Sequence, residues 1–527
     1  MQSIVNVQSL HLMARVVVAG MLITLTQAVS AQSGYAQPAE PASGDPAEEA
    51  TPGEPAQPEE PAGEPAEQAG PADPAEPAET AEPEEKTDEK AFEIPPPPEG
   101  FDSKQPLSLS DLKRKKEGGY PTGLPLANFD PNSGFGGGIR GYYYINGDRD
   151  DALFAYTPYL HRFFLQFFFT SKGLQFHWFD YDAPSLFGTP YRLRSQAIFM
   201  RNTEQHFYGI GNDSIEPLTF TGAGRTFDKY SDYTDGLRTV RPDGTALSRY
   251  NDYDLIRPFW IISLERTFLK GLVRPLVGLG VTYADITDYT GQDVTADGAE
   301  GDVEVPMGPT LLSEQCAAGM VVGCDGGWNN FLRFGISFDT RDFEPDPNRG
   351  IFLDMSLDLG TKLVGSEYNY ARFLTAARGY ISPFPDFIDL VFAARGTFEA
   401  QSKGTPFFSL PTMPWTDDPK SGLGGLRTLR GYRQDRFIGR YITLLNMEMR
   451  LTYFRFEVLR QKFALGAVAF LDTGRVYDTF DDLTFKGWRR GQGLGFRVAW
   501  NQATIVAVDL GFSDEDVGLY INFNHQF

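Results

Sequence analysis

The sequence lacks any long apolar run beyond its N-terminus. This absence excludes a bundle of membrane-spanning helices, each of which needs about 18 or more apolar residues. The chain is also poor in reactive side chains, with 2 cysteines and 5 histidines in 527 residues. It contains neither a Gly-x-Ser-x-Gly turn nor a His/Cys cluster with metal-ligand spacing, so we expect no enzyme, no metal and no cofactor. The net charge of −23 argues against nucleic acid as a partner.

Aromatic residues and glycine are abundant instead. Aromatics make up 14% of the chain, with 42 Phe and 24 Tyr, and there are 55 glycines. Such a composition is typical of a transmembrane β-barrel with aromatic girdles. It fits a large soluble β-sandwich as well, so composition alone leaves both architectures open.

The first 100 residues form two sections that differ from the rest of the chain. Residues 1–31 have the pattern of a secretory signal peptide, because Arg15 precedes an apolar run over 16–25 and small residues follow before Gln32. Residues 32–100 are rich in Pro, Ala and Glu. Such a segment cannot bury enough apolar surface to offset its chain entropy, so we predict a disordered acidic periplasmic linker.

A short basic segment, residues 101–132, follows the linker and leads into the predicted barrel. It contains the cluster Lys113, Arg114, Lys115 and Lys116. Two interpretations stay open for this cluster: contact with anionic lipid headgroups or the acidic linker, and a solvated basic turn.

From residue 133 onward the hydrophobic pattern has a period of two, as half-buried β-strands require. Over 351–359, one face is apolar and the other carries Asp354, Ser356 and Asp358. Ionic residues recur on one face of successive strands, namely Arg333, Asp339, Asp354, Arg395, Glu399, Glu448 and Asp472. Behind a signal peptide, this pattern predicts a membrane barrel with apolar side chains toward lipid and a polar lumen.

The predicted fold is all-β: a 16-stranded antiparallel transmembrane β-barrel over residues 133–527, in the outer membrane of a bacterial cell and expected to be a monomer. Long connections near 204–251, 288–327 and 403–439 suit the outer face. The strands are predicted at 133–146, 152–161, 162–170, 173–182, 190–203, 252–268, 270–287, 328–341, 350–362, 366–382, 386–402, 440–455, 460–474, 490–501, 503–513 and 517–527.

Three stretches of the second half resemble motifs of the BamA/TamA family, also called the bacterial surface antigen family. Residues 424–432, which end in Arg-Gly-Tyr, resemble the family's signature in the sixth outer loop. Residues 446–450 resemble the Glu-x-Arg motif of the twelfth strand. Residues 470–474 resemble the Phe-x-Asp-x-Gly motif of the thirteenth strand, with Phe470 and Gly474 beside the acid.

Two features depart from that family. Leu429 replaces the usual β-branched residue of the loop motif. Residues 37–98 lack the apolar periodicity of polypeptide-transport-associated (POTRA) domains, so we expect a barrel that lacks these domains.

The resemblance implies a factor that inserts membrane proteins or translocates polypeptides, with outer-membrane lipid and unfolded outer-membrane polypeptides as partners. It also implies a seam between the first and last strands. The seam candidates are Gly134, Gly136, Gly137, Gly138, Phe523 and Phe527. Glycines that merely curve the first strand are an alternative. The rival functions are a porin-like pore with a lumen-folded loop and a structural anchor that uses its acidic linker.

The loop motif also has a direct physical interpretation. Arg430 inside a lumen would be costly unless paired, and Glu448 and Asp472 occupy the polar faces of adjacent predicted strands. One guanidinium can bridge two carboxylates through charge-assisted hydrogen bonds. The residues expected to let the loop turn back and fill the lumen are Gly424, Gly425, Leu429, Gly431 and Tyr432. The alternative is that Arg430 lies in solvent at a loop tip.

The two cysteines, Cys316 and Cys324, lie close together in a polar stretch between the seventh and eighth predicted strands. We expect a disulfide, since an exported protein matures in an oxidising compartment. Two free thiols are the alternative.

Overall fold

A computed structural model describes residues 94–98, 107, 112, 115–130, 133–342, 347–385, 387–413, 420–458, 461–500, 504–523 and 525–527. The predicted signal peptide lies outside the described residues. So do the predicted linker, apart from 94–98, and the first two residues of the basic cluster, Lys113 and Arg114.

Sixteen antiparallel strands form one closed barrel. Each strand pairs with its neighbours in sequence, and the first pairs with the last. The strands are β1 Gly119–Asp130, β2 Gly134–Ile145, β3 His161–Thr170, β4 Gln175–Ala183, β5 Tyr191–His206, β6 Asp252–Arg266, β7 Val273–Asp288, β8 Phe331–Asp339, β9 Gly350–Gly360, β10 Tyr370–Ile381, β11 Asp389–Gln401, β12 Tyr441–Val458, β13 Gln461–Tyr477, β14 Arg489–Trp500, β15 Thr504–Phe512 and β16 Val517–Phe523. Among the described residues, no helix is long and apolar enough to cross a membrane.

The period-two pattern of the sequence explains which side chains face the lumen. On β9, Asp354 and Asp358 are buried inside the barrel, whereas Leu353 and Met355 alternate with them and are exposed on the outer surface. Successive side chains of a strand point to opposite faces, so the charged residues enter the lumen and the apolar residues form the outer band.

The start of the barrel differs from the prediction. The first strand is Gly119–Asp130, not 133–146, so the barrel includes part of the segment expected to precede it. This strand was not predicted because it contains Pro121 and Pro125, and proline is expected only on edge strands. The predicted strand at 152–161 was wrong: Ala152–Ala155 is a 3₁₀ helix, capped by the Asp151 side chain. One strand was missed and one was predicted where none exists, so the predicted total of sixteen strands is still confirmed.

Strand length and pairing vary strongly around the barrel. β12 and β13 have 18 and 17 residues and pair from Tyr441 opposite Tyr477 to Val458 opposite Gln461. β16 has 7 residues. Within the described residues, Phe129 opposite Ile521 is the one registered pair between β1 and β16. We call this β1–β16 junction the seam.

Long loops pack together at the barrel end opposite to the start of β1 and the end of β16. The loops after β5 and β7 bury an apolar cluster that includes Leu218, Tyr233, Leu247, Val294 and Met307. A disulfide joins Cys316 to Cys324 in the loop between β7 and β8. The loops contain the short helices Asn212–Ile215, Tyr230–Arg238 and Leu311–Ala317, the hairpin Asp293–Gly298 with Gly301–Pro306, and the pieces Gly327–Trp328, Thr412–Met413 and Lys420–Ser421.

Candidate functional site: the lumen loop and the seam

The described residues of the loop between β11 and β12, 402–413 and 420–440, fold back into the barrel, and we call them the lumen loop. Two glycines make its turns possible. Gly424 has φ 118°, and a Cβ there would lie 2.0 Å from the Arg433 carbonyl oxygen. Gly431 has φ 97°, and a Cβ there would lie 2.7 Å from the Phe512 carbonyl carbon. Larger residues are therefore excluded at both positions by conformation and by space. Gly425 also has a positive φ, 78°.

Arg430 is the central residue of the lumen loop. It is fully buried, and the structure brings it together with both predicted acids. Its Nε and Nη2 donate to the two carboxylate oxygens of Asp472 at 2.8 and 3.1 Å, and its backbone N–H donates to the same group at 3.2 Å. Its Nη1 lies 2.9 Å from Glu448 Oε1. The guanidinium thus binds Asp472 bidentately, the geometry that lysine cannot supply.

A third acid completes the arrangement. Arg430 Nη1 donates to Asp509 Oδ2 at 3.0 Å, although Asp509 lies on β15. The guanidinium also stacks 3.4 Å from the centroid of the Phe470 ring, which explains the aromatic residue of the motif. Sequence reasoning missed Asp509; the available signal was its place on the polar face of β15.

The buried charges are matched in number. Arg450 lies 2.8 Å from Glu448, and Arg497 Nη2 donates to Asp509 at 3.1 Å. The three carboxylates therefore face three guanidiniums. Buried ion pairs add little net stability, but removing one partner leaves a costly unpaired charge. We call these six side chains the Arg430 cluster: Arg430, Arg450, Arg497, Glu448, Asp472 and Asp509.

Glycines of the barrel wall admit the loop backbone. A Cβ at Gly491 on β14 would lie 1.9 Å from the Arg430 carbonyl oxygen. A Cβ at Gly511 on β15 would lie 2.9 Å from the Gly431 nitrogen. The sequence analysis did not single out either glycine, because their role depends on contacts between distant segments. Gly474 on β13 is similar, since a Cβ there would meet the Leu423 side chain at 3.2 Å.

The lumen loop reaches the last strand. The Gly431 N–H donates to the hydroxyl of Tyr520 on β16 at 3.1 Å, and Ser513 donates to the Gly431 carbonyl at 2.8 Å. Leu429 and Tyr432 are buried in one apolar cluster of the loop and wall. The loop therefore holds β12, β13, β15 and β16 together from the inside.

The predicted seam glycines lie elsewhere. Gly134, Gly136, Gly137 and Gly138 lie on β2, opposite residues 126–130 of β1, because the true first strand precedes them. They are one strand away from the seam. Phe523 lies at the end of β16 and pairs with Val506 of β15.

Phe527 does not face lipid at the seam either. It packs against Tyr380, Val391 and Ala393, across the barrel from β16. Its carbonyl oxygen accepts a hydrogen bond from Arg450 Nη2 at 2.8 Å, and the Arg395 guanidinium lies 4.9 Å from its ring centroid. The contacts with two lumen arginines explain why the ring turns inward.

On the N-terminal side of the seam, the chain before β1 is bonded to the connection between β2 and β3. Lys115 is 9% exposed, and its Nζ donates to the carbonyl oxygens of Phe154 and Thr157, both at 2.7 Å. The same Nζ lies 4.0 Å from the Phe154 ring centroid. Upstream, the Leu107 N–H donates to the Ala155 carbonyl. We call the described residues of 94–118 the pre-barrel segment.

Burial in this contact lowers the pKa of Lys115 to about 8, partly opposed by the charge of Asp151. Within the described ranges, no group of three or more His, Cys, Asp and Glu side chains is arranged to hold a metal ion. The site therefore consists of a loop held by ion pairs on one side of the seam and a segment held by hydrogen bonds on the other.

These features define a class of protein: an outer-membrane barrel with an Arg-Gly-Tyr loop folded inside its lumen. The comparison with known families agrees, because the Omp85 superfamily domain matches residues 256–524. The chain belongs to the Omp85 superfamily and is a bacterial outer-membrane protein. Residues 97–160, which contain most of the pre-barrel segment and β1–β2, match a domain of unknown function, DUF5982. No curated protein matches the sequence.

Several solved structures are similar at low sequence identity. BamA from Haemophilus ducreyi lacking POTRA domains 1–3 is 12% identical, with 78% of this chain and 70% of that chain covered and a TM-score of 0.46. CdiB from Acinetobacter baumannii is 11% identical, with coverages of 78% and 60% and a TM-score of 0.40. CdiB from Escherichia coli is 10% identical, with coverages of 79% and 70% and a TM-score of 0.42.

Proposed function

We propose that this barrel inserts or translocates outer-membrane polypeptides by opening its seam. The proposal rests on a contrast between sparse backbone pairing across the seam and extensive side-chain contacts on either side of it. Within the described residues, β1 and β16 are registered at Phe129 and Ile521 alone, while the lumen loop fastens the last strands from within and Lys115 fastens the segment before β1 to the connection between β2 and β3. Sheet edges with free backbone groups accept an additional strand, so a client strand is the natural occupant of an opened seam.

The composition of β1 supports an edge that opens. Pro121 and Pro125 have no backbone N–H, and proline is tolerated in sheets only at edges, strand starts and bulges. β1 nevertheless pairs with β2 along its whole length, from Gly119 to Asp130. The strand is thus firmly held on one side and sparsely paired on the other, as a docking edge requires.

The short last strand supports local thinning of the membrane. β16 has 7 residues, or about 23 Å at 3.3 Å per residue, and β12 has 18 residues, or about 59 Å. A bilayer adapts to a short hydrophobic span by thinning. Lipid beside the seam would then offer a lower barrier to an incoming strand than lipid beside β12.

The interior opposes the rival pore function. The lumen loop places Leu429, Arg430 and Tyr432 inside the barrel, and the outer loops bury an apolar cluster above it. A porin keeps an aqueous channel instead. The protein is proposed to act as a monomer, since the barrel closes within a single chain.

A disulfide across the seam tests the proposal. Phe129→Cys with Ile521→Cys would join the two strands at their registered pair, and the native cysteines do not interfere because they are bonded to each other. We expect the oxidised protein in proteoliposomes to lose insertion of a urea-unfolded outer-membrane protein, and a reductant to restore it.

The matched control is Val498→Cys with Val506→Cys, which joins two strands that are already paired along β14–β15. It should insert clients equally well in both redox states. Full insertion with the seam disulfide formed would refute the seam mechanism. Steady ion conductance unaffected by that disulfide would favour the pore.

A further inference from the structure

An internal cavity of about 220 Å³ lies between the lumen loop and the wall formed by β4–β10. Its wall is unusual for the interior of a barrel, because much of it is apolar. The apolar lining side chains include Phe176, Ile198, Leu255, Phe259, Phe331 and Phe408. Water is held in a cavity by two to four polar partners, so an apolar wall of this kind favours a hydrocarbon occupant.

Three arginines also line the cavity, and two of them are paired. Arg333 donates to both oxygens of Asp358 at 2.7 and 2.8 Å, and Arg372 Nη2 donates to Glu399 at 3.0 Å. These pairs neutralise their own charges. They leave Arg257 as the cation to be explained.

Arg257 has neutral partners. Its Nη1 donates to the Phe408 carbonyl at 3.2 Å and to Thr412 Oγ1 at 3.4 Å. Among the described residues, no carboxylate lies within salt-bridge distance of it. The cavity-lining acid Asp435 is engaged elsewhere, by Gln205 at 2.8 Å and by the Gly422 N–H at 3.1 Å. Asp435 interacts electrostatically with Arg257 but lies beyond salt-bridge distance, so a bound oxyanion would supply the direct charged partner that the guanidinium lacks among the described residues.

Two further polar atoms are unsatisfied at the cavity wall. Asn329 Oδ1 and Arg372 Nε are buried and have no hydrogen-bond partner among the residues that the structure describes. Buried polar atoms are almost always bonded, so each one that is not suggests a missing ligand or water. Within the described part of the chain, the cavity therefore combines an apolar wall, a cation without a direct carboxylate partner and hydrogen-bonding atoms without partners.

We propose that the cavity binds a single-chain anionic amphiphile, with its alkyl chain against the phenyl rings and its carboxylate or phosphate on Arg257. The volume supports one chain, because pockets for larger ligands occupy about 300–1,000 Å³. An apolar cavity of about 150 Å³ is already large enough for benzene. The proposal goes beyond insertion or translocation and stands independently of the seam.

Photocrosslinking of the full chain in lipid nanodiscs tests this binding. The probes are dodecanoate and dodecyl phosphate with a diazirine at the end of the chain, and dodecanol with the same group as the neutral control. Mass spectrometry then locates the labelled peptides. We expect both anions to label the peptides that carry Ile198 and Leu255, and dodecanol to label them about tenfold less, as the loss of a charge-assisted hydrogen bond predicts. The stronger of the two anions identifies the headgroup.

Two variants sharpen the result. Arg257→Gln should reduce lumen labelling by the anions to the level of dodecanol, and Ile198→Trp should block labelling by filling the cavity, which keeps the test valid if Arg257→Gln does not fold. Arg201→Gln is the matched control, since Arg201 pairs with Asp254 at 2.8 Å and does not line the cavity. Lipid-facing peptides should be labelled equally in every variant. Lumen labelling that is absent, or equal for all three probes, would overturn the proposal.

Discussion

The C-terminal and N-terminal walls enclose one lumen but fill it differently. On β12–β15 the inward side chains are ionic, and Arg430 alone contacts Glu448, Asp472 and Asp509. On β2–β4 rings are added to such groups: Phe164 is centred 5.0 Å from Tyr142 and 4.9 Å from Trp178, beside the ion pair of Arg162 with Asp180. Ion pairs are directional, so the C-terminal wall fixes the loop in one position. Aromatic contacts are less directional than charge-assisted hydrogen bonds, and a cavity lies between the loop and β4–β10.

The seam lies between these two walls, and a different set of contacts fastens each side. The lumen loop holds the C-terminal side through the Arg430 cluster, and Lys115 holds the N-terminal side through the pre-barrel segment. Backbone pairing across the seam contributes at one position. Each side of the seam is therefore fastened mainly to its own neighbouring strands and connections, and little of the described backbone pairing crosses the seam.

Among the changes that test this difference between the two walls, removal of Arg430 should have the largest effect on the stability of the folded barrel. Arg430→Ala leaves Asp472 and two other buried acids without their shared cation, which costs about 3–5 kcal/mol for a fully buried pair. Arg430→Lys should recover only part of this, because it cannot bind Asp472 bidentately. The heat-modifiable folded fraction on gels measures the loss. Asp472→Asn should mimic it, and the double variant should be less than additive.

The control for this experiment is Arg238→Ala, which removes an exposed ion pair to Asp297. It should leave the folded fraction unchanged, because exposed pairs contribute little. Equal behaviour of Arg430→Ala and Arg238→Ala would show that the Arg430 cluster does not hold the barrel.

An added side chain at Gly491 should have the next largest effect. Gly491→Val would place atoms against the Arg430 carbonyl, and overpacking of this kind costs about 1–3 kcal/mol. The thermal unfolding temperature in detergent measures the change. Gly396→Ala is the matched control on β11, since nothing lies within 4 Å of a Cβ there. A smaller shift at Gly491 than at Gly396 would contradict close contact between loop and wall.

Loss of Lys115 should have the smallest effect, confined to the N-terminal side. Lys115→Met removes two hydrogen bonds to Phe154 and Thr157, which costs about 1–2 kcal/mol. Proteolysis of residues 94–118 by subtilisin should become faster, while the Arg430 cluster stays intact. Lys116→Met is the neighbouring control, because the charge of Lys116 forms no such carbonyl contacts among the described residues.

The same contact predicts a pH dependence. The pKa of Lys115 is lowered to about 8 in the folded state, so between about pH 8 and 10.5 the released segment binds more protons than the docked one. Docking should therefore strengthen as pH rises through this window. The ratio of cleavage rates, wild type over Lys115→Met, should fall from pH 7.5 to pH 9.5. A constant ratio would contradict it.

The sequence predicted what depends on local pattern and missed what depends on distant contacts. Alternation predicted the strands and the lumen side of Glu448 and Asp472, and the motif predicted the loop. Asp509 could not be assigned as a partner of Arg430, since any lumen-facing acid of the last strands satisfied the pattern equally well. The inward turn of Phe527 was missed because a terminal aromatic residue at a strand end has the same pattern when it faces lipid.

β1 shows a different kind of failure. Pro121 and Pro125 made the segment resemble a connection, because the rule against proline applies to strands paired on both sides. β1 tolerates its two prolines because it pairs along its whole length with β2 and, within the described residues, at one position with β16. The rule thus failed at the edge that we propose to be functional.

The distance across the seam tests the central claim most directly. Spin labels at Thr122→Cys on β1 and Leu519→Cys on β16 report this distance by pulsed electron paramagnetic resonance in nanodiscs, and labels at Met447→Cys on β12 and Phe463→Cys on β13, similarly offset along two fully paired strands, serve as reference. If the seam is held from within, Arg430→Ala should broaden and lengthen the β1–β16 distribution while the reference stays narrow. An unchanged seam distribution in a folded Arg430→Ala protein would contradict the account.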